Sequence, residues 1–314
     1  MQIEILGSSG AFAIPRAGST RAIDIEAREK GIPYARSGPS TFIHGPDILF
    51  DTPEENRDQL VRAGIRQVAA CFYSHWHPDH VMGRRVWESL NHADRTWPRQ
   101  HRTTDVYLPE QVAIDFRAYL GSWDHLAFLQ ETGLVRVHTL TDGESVTIDG
   151  NDGTNGVTIT PFRLAEGYVY AFLVEDGKGS APGTSPGSAS GRVLIAMDEL
   201  NGWTPPSHVS NLDLDLAILP IGVFEFHPLT GKRLIDEADP VLREEATFAE
   251  TVAIARALDA HEVVFSHIEA LDELGHDDLV LVAKQLRGDG LPATIAYDGL
   301  RIDVSSHPAE GITS

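Results

Sequence analysis

Short apolar runs alternate with helical patterns along most of the chain. The runs 69–73 and 157–162 have the length and composition of buried strands, whereas 53–63 and 245–258 place apolar side chains at helical spacing. Such alternation is typical of a layered α/β architecture. We therefore predict that a single layered domain spans residues 1–304.

Two segments lack this patterning. Residues 176–192 form a tract rich in Gly, Ser and Pro between two strand patterns, a composition typical of flexible connections. We predict a flexible hairpin extension there rather than a domain boundary. We predict that the last residues, 305–314, form a disordered tail.

The chemistry of the chain is concentrated directly after the first of these strands. Residues 74–80 read Ser-His-Trp-His-Pro-Asp-His, which places His75, His77, Asp79 and His80 within six positions. One face of a helix or strand cannot present all four side chains, so we expect a loop that closes around metal. Imidazole nitrogens and a carboxylate suit Zn, Mn or Fe(II). A solvated histidine cluster is the alternative, but this spacing arises by chance in only about one such chain in several hundred.

The spacing of these four residues after a strand resembles the metal-binding signature of the metallo-β-lactamase superfamily. The resemblance implies an α/β fold, an αββα sandwich of two mixed β-sheets flanked by helices, with a metal site at one sheet edge. The strand patterns that end at Asp198 and His267 are similar to those that present the family's bridging aspartate and last histidine. Asp51, at the end of another strand pattern, is the residue that we expect to orient a ligand histidine.

Within the superfamily, the chain is similar to the phosphoribosyl cyclic phosphate phosphodiesterases. The closing segment 295–302 and the turn 266–268 carry this narrower likeness. His227 matches a histidine-proline pair of those enzymes, so Asp79 and His227 are our predicted catalytic residues, with a loop histidine of no function as the alternative for His227. A histidine that assists the leaving group in those enzymes is replaced here by Ala246, so the chain departs from their pattern at this position.

A second departure falls between two predicted strands, 157–162 and 168–174. The family has a histidine ligand in this connection, whereas this chain reads Arg-Leu-Ala-Glu-Gly over residues 163–167. Counting back from the following strand places the missing histidine at Ala165 or Glu166. Since a carboxylate is an acceptable ligand for Zn and a better one for Mn or Fe, we predict that Glu166 replaces it, with a solvated loop glutamate as the alternative.

The resemblance thus implies a centre of two divalent ions, with Zn or Mn favoured and Fe still open. The predicted metal ligands are His75, His77, Asp79, His80, Glu166, Asp198 and His267. In this arrangement Asp198 bridges the ions, and Glu166 completes the site of His75 and His77. In the resembled phosphodiesterases, the segment that corresponds to residues 15–40 carries cysteines for a structural zinc. Here it has none, so we predict that this zinc is absent.

Composition narrows the range of partners. The net charge is −21, whereas nucleic-acid binding requires clustered Lys and Arg, so we expect a small-molecule substrate and no nucleic acid. No uninterrupted apolar run of about 18 residues and no leader pattern occur, and Cys71 is the single cysteine. These features favour a cytoplasmic protein without membrane contact. The oligomeric state stays open, with a homodimer as one option.

The function that we predict is a metal-dependent hydrolase, in which a metal-bound hydroxide attacks a small phosphodiester, cyclic or open. Three alternatives stay open at this point. The same centre could hydrolyse carboxylic esters or lactones, or it could hold iron in an oxidoreductase or dioxygenase. The missing loop histidine and Ala246 are also consistent with a non-catalytic metal-binding protein.

Overall fold

The computed structural model describes residues 1–92, 97–98, 100–151, 155–177, 191–269 and 274–304. Two seven-stranded sheets form the centre of the described part. The first sheet contains β1 (Gln2–Gly7), β2 (Ser40–His44), β3 (Ile48–Phe50), β4 (Ala70–Phe72), β5 (Thr104–Pro109) and β6 (Val135–Leu140) in that spatial order, with β14 (Leu300–Asp303) at the outer edge of β1. Its strands from β14 to β3 pair antiparallel, and those from β3 to β6 pair parallel.

The second sheet repeats this division into an antiparallel and a parallel half. Its strands are β7 (Val146–Ile148), β8 (Val157–Arg163), β9 (Tyr170–Asp176), β10 (Arg192–Ala196), β11 (Leu216–Pro220), β12 (Val263–Ser266) and β13 (Ala293–Ile295), in that spatial order. The strands from β7 to β10 pair antiparallel and those from β10 to β13 pair parallel. Both sheets are therefore mixed, as predicted.

Ten α-helices lie in the described part of the chain. They are α1 (Ala22–Lys30), α2 (Asn56–Ala63), α3 (Pro78–Val81), α4 (Val86–Asn91), α5 (Glu110–Ala118), α6 (Ser122–Glu131), α7 (Ser207–Ser210), α8 (Val241–Glu244), α9 (Phe248–Leu258) and α10 (His276–Gly288). Helices α2, α5 and α6 pack on strands of the first sheet, and α9 and α10 pack on the second. The layers confirm the predicted αββα sandwich.

The central strands β10, β11 and β12 of the second sheet are buried on both faces. In β10, Val193 and Ile195 face the core between the sheets, while Leu194 and Ala196 face the core beneath the helices. This explains why β10 reads as an unbroken apolar run, since a strand with two buried faces shows no polar alternation. Across the sandwich, the ring of Phe172 lies 5.1 Å from that of Phe50 and 5.7 Å from that of Phe72.

Three further predicted segments differ in how far the structure describes them. The helix predicted over 245–258 begins at Phe248, because Thr247 and Glu250 form a reciprocal capping box at its first turn. The predicted extension 176–192 joins the antiparallel strands β9 and β10, but residues 178–190 lie outside the described residues. The predicted tail 305–314 also lies outside them.

The segment 15–40, in which the cysteines of a structural zinc are missing, is held by ordinary packing. Ile14, Ile23 and Ala27 form a small apolar cluster with Tyr34 and Ala35. The backbones of residues 14 and 36 form a bridge, and the Tyr34 hydroxyl donates to the carboxylate of residue 277 at 3.1 Å. The segment is therefore packed against the rest of the domain without a structural zinc ligand set of cysteines.

Within the described part of the chain, no helix combines the length and the apolar character that a membrane crossing requires. A cytoplasmic location and a homodimer both stay predictions.

Candidate metal centre

The predicted ligands converge because strand ends meet at one edge of each sheet. Asp51 follows β3, and the loop 74–80 follows the parallel neighbour β4. In the second sheet, Asp198 lies two residues beyond β10 and His267 directly follows β12. The amide of Tyr170 donates to the carbonyl of Ser74 at 3.1 Å, which joins the second sheet to the histidine loop.

Two groups of candidate ligands share this edge. His75, His77 and Asp198 form one group, and Asp79, His80 and His267 form the other, with the ligand atoms of each group within 4.8 Å of one another. Asp198 lies between the groups. Its Oδ2 is 3.3 Å from His75 Nε2 and 3.7 Å from His80 Nε2, and its Oδ1 is 3.4 Å from His267 Nε2.

Three buried ring nitrogens in these groups lack a hydrogen-bond partner. They are the Nε2 atoms of His75, His80 and His267, residues with 0, 0 and 9% of their surface exposed. Buried polar atoms are nearly always paired, so three such atoms turned toward the same carboxylates indicate that a ligand is required between them. Imidazole and carboxylate donors suit Zn, Mn and Fe. The residues present therefore fit a pair of divalent cations.

A buried carboxylate orients two of the ligand rings. Asp51 Oδ2 lies 2.8 Å from His80 Nδ1 and accepts a hydrogen bond of 2.6 Å from Ser74 Oγ, while Asp51 Oδ1 accepts from the Ser74 amide at 2.8 Å. Ser74 Oγ is also 3.0 Å from His75 Nδ1. The Nδ1 atoms of both rings are thus occupied on the outer side, which leaves their Nε2 atoms for metal. Asp51 therefore has the contacts expected of a residue that orients a ligand histidine, and its role stays a prediction.

The candidate ligands shift one another's pKa because they carry opposite charges and are buried. Burial opposes ionisation, but His80 and His267 hold the pKa of Asp79 far below its usual value. In the same way, Asp198 outweighs the effect of burial and raises the pKa of His267 to about 9. Burial and the neighbouring ring of His75 lower the pKa of His77 to about 4.

The structure leaves Glu166 outside both ligand groups. It lies exposed in the turn between β8 and β9, and its carboxylate is absent from the clusters found among the described residues. The turn is closed by the Gly167 amide, which donates to Leu164 O at 3.1 Å, and this directs residues 165–166 to the surface. The arrangement does not support the replacement of the missing histidine by Glu166.

His227 also lies apart from the centre. It belongs to the loop after β11, where its Nδ1 accepts a hydrogen bond of 3.2 Å from the Leu229 amide and its own amide donates to Lys232 O at 2.7 Å. Among the described cavities, it lines neither of those that reach Asp79 and Asp198. The other predicted catalytic residue, Asp79, does lie at the centre, as a member of the second ligand group.

The sequence analysis missed an aromatic residue beside the first ligand group. Tyr168 is half-buried, and its ring centroid lies 5.4 Å from that of His77 and 6.1 Å from that of His75. Burial and the nearby carboxylate of Asp198 raise the pKa of its phenol, which therefore stays protonated. Tyr168 directly follows the connection 163–167, in which the family's histidine is missing, and this position could have indicated it in the sequence.

A small acidic cavity was missed as well. It has a volume of about 160 Å³ and is lined by Glu199, Glu245 and Glu269 beside the ligands Asp198 and His267. Burial and the neighbouring Glu199 raise the pKa of Glu245 to about 10. Glu245 directly precedes the alanine that replaces the family's leaving-group histidine, so its position in the sequence could have indicated it.

The sandwich and its edge cluster of histidines and aspartates together define a metallo-hydrolase. The family described as the beta-lactamase superfamily domain matches residues 45–268, more than half of the chain. The protein belongs to the metallo-β-lactamase superfamily, and divalent metal ions are the cofactors that this fold implies.

Individual relatives agree with this assignment. The chain is 23% identical over 301 residues to a ribonuclease Z from Myxococcus xanthus, which covers 85% of this chain and 92% of the relative. A diphosphatase of the PhnP family superposes with a TM-score of 0.63 at 21% identity, covering 97% of this chain and 98% of its own. Zn²⁺-bound PqqB from Methylobacterium extorquens superposes with a TM-score of 0.62 at 16% identity, covering 96% and 100%. These two structures show the shared fold.

Proposed function

We propose that the protein hydrolyses a small phosphodiester with two divalent ions, Zn or Mn, bound between its two ligand groups. The observation that carries the proposal is the pair of groups joined by Asp198, with three buried imidazole nitrogens that lack hydrogen-bond partners. When bound, such ions lower the pKa of coordinated water and offset the negative charge of a phosphoryl group. The similarity to a ribonuclease Z supports phosphodiesters as the substrate class.

The protein's own residues keep the centre rigid during this chemistry. The imidazoles of His75 and His80 cannot rotate freely because their Nδ1 atoms contact Ser74 and Asp51. Asp51 itself is fully buried and has a left-handed backbone with φ of 59°, a conformation that surrounding structure must impose. Ligand orientation is therefore set before substrate arrives, which reduces the rearrangement that catalysis requires.

Tyr168 supplies a hydrogen-bond donor to the substrate. Its ring borders His75 and His77, and its phenol stays protonated because burial and the Asp198 carboxylate raise its pKa. A protonated phenol can donate to a phosphoryl oxygen in the transition state, and loss of one such donor typically costs about 10²-fold or more in kcat.

Charge and size favour a small substrate over RNA. The net charge of −21 opposes a polyanion. Two cavities of about 570 and 160 Å³ reach the ligand groups at Asp79 and Asp198, respectively. Pockets of roughly 300–1,000 Å³ are typical of small-molecule sites, and the larger cavity falls in that range.

Hydrolysis by the metal-loaded protein tests the proposal. Protein reconstituted with Zn or Mn is assayed on bis(p-nitrophenyl) phosphate, p-nitrophenyl acetate, a lactone panel and precursor transfer RNA. We expect turnover of the phosphodiester that disappears in His267→Ala, together with bound metal. His208→Ala, an exposed histidine in α7, is the matched control and should retain both.

Two results would contradict the proposal. Turnover of the ester or lactones without turnover of the phosphodiester would assign a different reaction to the same centre. Full metal content and activity in His267→Ala would show that the ligand groups are not the site.

A further inference from the structure

The larger cavity contains a single arginine. Among the described residues that line it, Arg16 is the only lysine or arginine, and Asp79, a ligand of the second group, lies on another part of its wall. No ion pair joins these two side chains, although both border the same cavity. Glu54 and Glu55 also line this cavity, so Arg16 is the one cation on the part of its wall that the structure describes.

The Arg16 side chain is held in place without a carboxylate partner. Its guanidinium carbon lies 4.3 Å from the centroid of the Phe12 ring, a distance typical of cation–π contact. The Arg16 amide donates to Asp24 Oδ1 at 2.6 Å, and its carbonyl accepts from the Ser19 amide at 3.2 Å. Within the part of the chain that the structure describes, no Asp or Glu forms an ion pair with this guanidinium. Its hydrogen-bonding edge is therefore available to a ligand.

The Phe12 platform is itself fixed to the metal centre. The Ser9 hydroxyl donates to Phe12 O at 2.6 Å, and the Ala11 amide donates to Glu269 Oε1 at 2.7 Å. Gly10 lies so close to Glu269 that a Cβ at this position would collide with its carboxylate. Glu269 is two residues after the ligand His267, so the position of Arg16 is coupled to that of the ligands through a short chain of contacts.

Phe12 has a second contact with the reaction centre. Its side chain is 53% exposed and lines both the large cavity and the small acidic one. The wall between the two cavities therefore consists of the segment that carries Arg16. The three glutamates of the smaller cavity do not line the larger one, where a substrate borders Arg16, Glu54 and Glu55.

We infer that Arg16, held against Phe12, binds a second anionic group of the substrate, a phosphate or carboxylate that lies outside the scissile diester. The inference rests on the proposed phosphodiesterase function and adds the residue that recognises the rest of the substrate. A guanidinium presents parallel N–H donors that match such oxygens in pairs. Arg16 is a positioning residue in this role, since the bond that breaks lies at the metal ligands.

A matched pair of substrates tests the inference. Thymidine 3′-(p-nitrophenyl phosphate) is compared with the same compound carrying a 5′-phosphate or a 5′-carboxylate, in wild type, Arg16→Met and Arg16→Lys. We expect Arg16→Met to raise KM for the anionic compounds by about 10-fold or more, the usual effect of losing a charged hydrogen bond. KM for the compound without a second anion, and kcat for all three, should change less than about 2-fold. Arg16→Lys should restore part of the preference for the anionic compounds. A comparison of KM for the 5′-phosphate and the 5′-carboxylate shows which group is bound better.

The control variant is Arg85→Met, whose side chain is 82% exposed and pairs with Glu88 away from the cavity. It should leave every KM unchanged. Equal losses on the compounds with and without the second anion, or no loss in Arg16→Met, would overturn the inference while leaving the phosphodiesterase function intact.

Binding provides a readout that does not need turnover. Calorimetry with thymidine 3′,5′-bisphosphate and thymidine 3′-phosphate should show a preference for the bisphosphate in wild type that Arg16→Met abolishes. Failure of wild type to hydrolyse any diester would contradict the proposed function. A bisphosphate preference that persists in Arg16→Met would contradict the role of Arg16 alone.

Discussion

At the scale of single residues, the orientation of the His75 and His80 rings decides which of their nitrogen atoms can bind metal. Asp51 and Ser74 contact the outer nitrogens of His80 and His75, so their inner nitrogens face Asp198. The inner atoms have no other partner in the protein. Because burial without a partner is costly, cation binding removes a penalty that the metal-free fold retains.

Replacement of the orienting carboxylate should weaken the centre without removing a ligand. In Asp51→Asn, an amide would face Ser74 and His80 where the carboxylate accepts 2.6 to 2.8 Å hydrogen bonds. We expect metal affinity to fall by about 10- to 100-fold, the usual effect of losing such a partner. Competition with a chromophoric chelator measures it, with Asp105→Asn, a partly exposed carboxylate paired with His138, as the control. Unchanged affinity in Asp51→Asn would show that Asp51 does not orient the ligand.

The exposed position of Glu166 leads to the opposite expectation. Glu166 lies in a surface turn outside both ligand groups, so Glu166→Gln should keep the metal content and change kcat/KM by less than about 2-fold, the range normal for surface substitutions. Metal analysis after dialysis and a phosphodiester assay measure the two quantities. Selective loss of one ion in this variant would show that Glu166 is a metal ligand.

At the scale of elements, strand ends place the ligands and helix caps set the boundaries. Parallel pairing of β3 with β4, and of β10 through β12, brings residues that follow these strands to common edges. In α9, the start is set by the reciprocal hydrogen bonds of Thr247 and Glu250 rather than by the apolar pattern. Element boundaries thus depend on local polar contacts, while element type depends on apolar spacing.

Loss of the cap should destabilise α9 and the second sheet that it covers. Thr247→Ala removes a side chain that accepts from the Glu250 amide at 3.3 Å and donates to its carboxylate at 2.8 Å. We expect a loss of about 1 kcal/mol in the free energy of unfolding, or roughly 2 °C in Tm. Thermal denaturation followed by circular dichroism measures it. Ser207→Ala, at the start of α7 where no side-chain cap exists, should leave Tm unchanged, and equal effects of both substitutions would contradict the role of the capping box.

At the scale of the whole molecule, the metal centre joins the two sheets. The first sheet leads into the loop that carries His75 and His80, and the second contributes Asp198 and His267. A cation bound by residues from both sides binds only the assembled sandwich. The free energy of metal binding therefore adds to the free energy of unfolding.

Removal of metal should lower the thermal stability of the protein. At free metal about 100 times Kd, binding to the folded state contributes about 2.7 kcal/mol, which corresponds to roughly 5 to 10 °C in Tm. Differential scanning calorimetry with and without a chelator measures the difference. The shift should shrink in Asp198→Ala, which lies between both groups, and a chelator effect of equal size in that variant would contradict the link.

Metal binding should also release protons at neutral pH. Although burial lowers it, the Asp198 carboxylate raises the pKa of His267 to about 9 in the metal-free protein, so the ring is protonated at pH 7 and must become neutral to bind metal. Metal affinity should therefore increase as the pH rises toward about 9. Calorimetry in two buffers of different ionisation enthalpy measures the protons released, and equal apparent enthalpies in both buffers would contradict the expectation.

Much of the fold could be predicted because apolar spacing reports burial directly. The run 193–196 is apolar throughout, and both of its faces are buried in the structure. The histidine loop was equally clear, since the close spacing of His75, His77 and Asp79 leaves few alternatives to metal. The position of Glu166 could not be predicted in this way, because a count along the chain does not show that the turn at Gly167 leaves it exposed.

The alternation of strands and helices, the family and the residues of the histidine loop could be predicted from the sequence, because these depend on neighbours along the chain. Three features became visible in the folded protein alone: Asp198 lies between the two ligand groups, Tyr168 borders the first of them, and Arg16 lines a cavity with Asp79. These contacts join residues far apart in the chain. Their proximity depends on how two sheets pack and on where strands end, which local spacing does not encode.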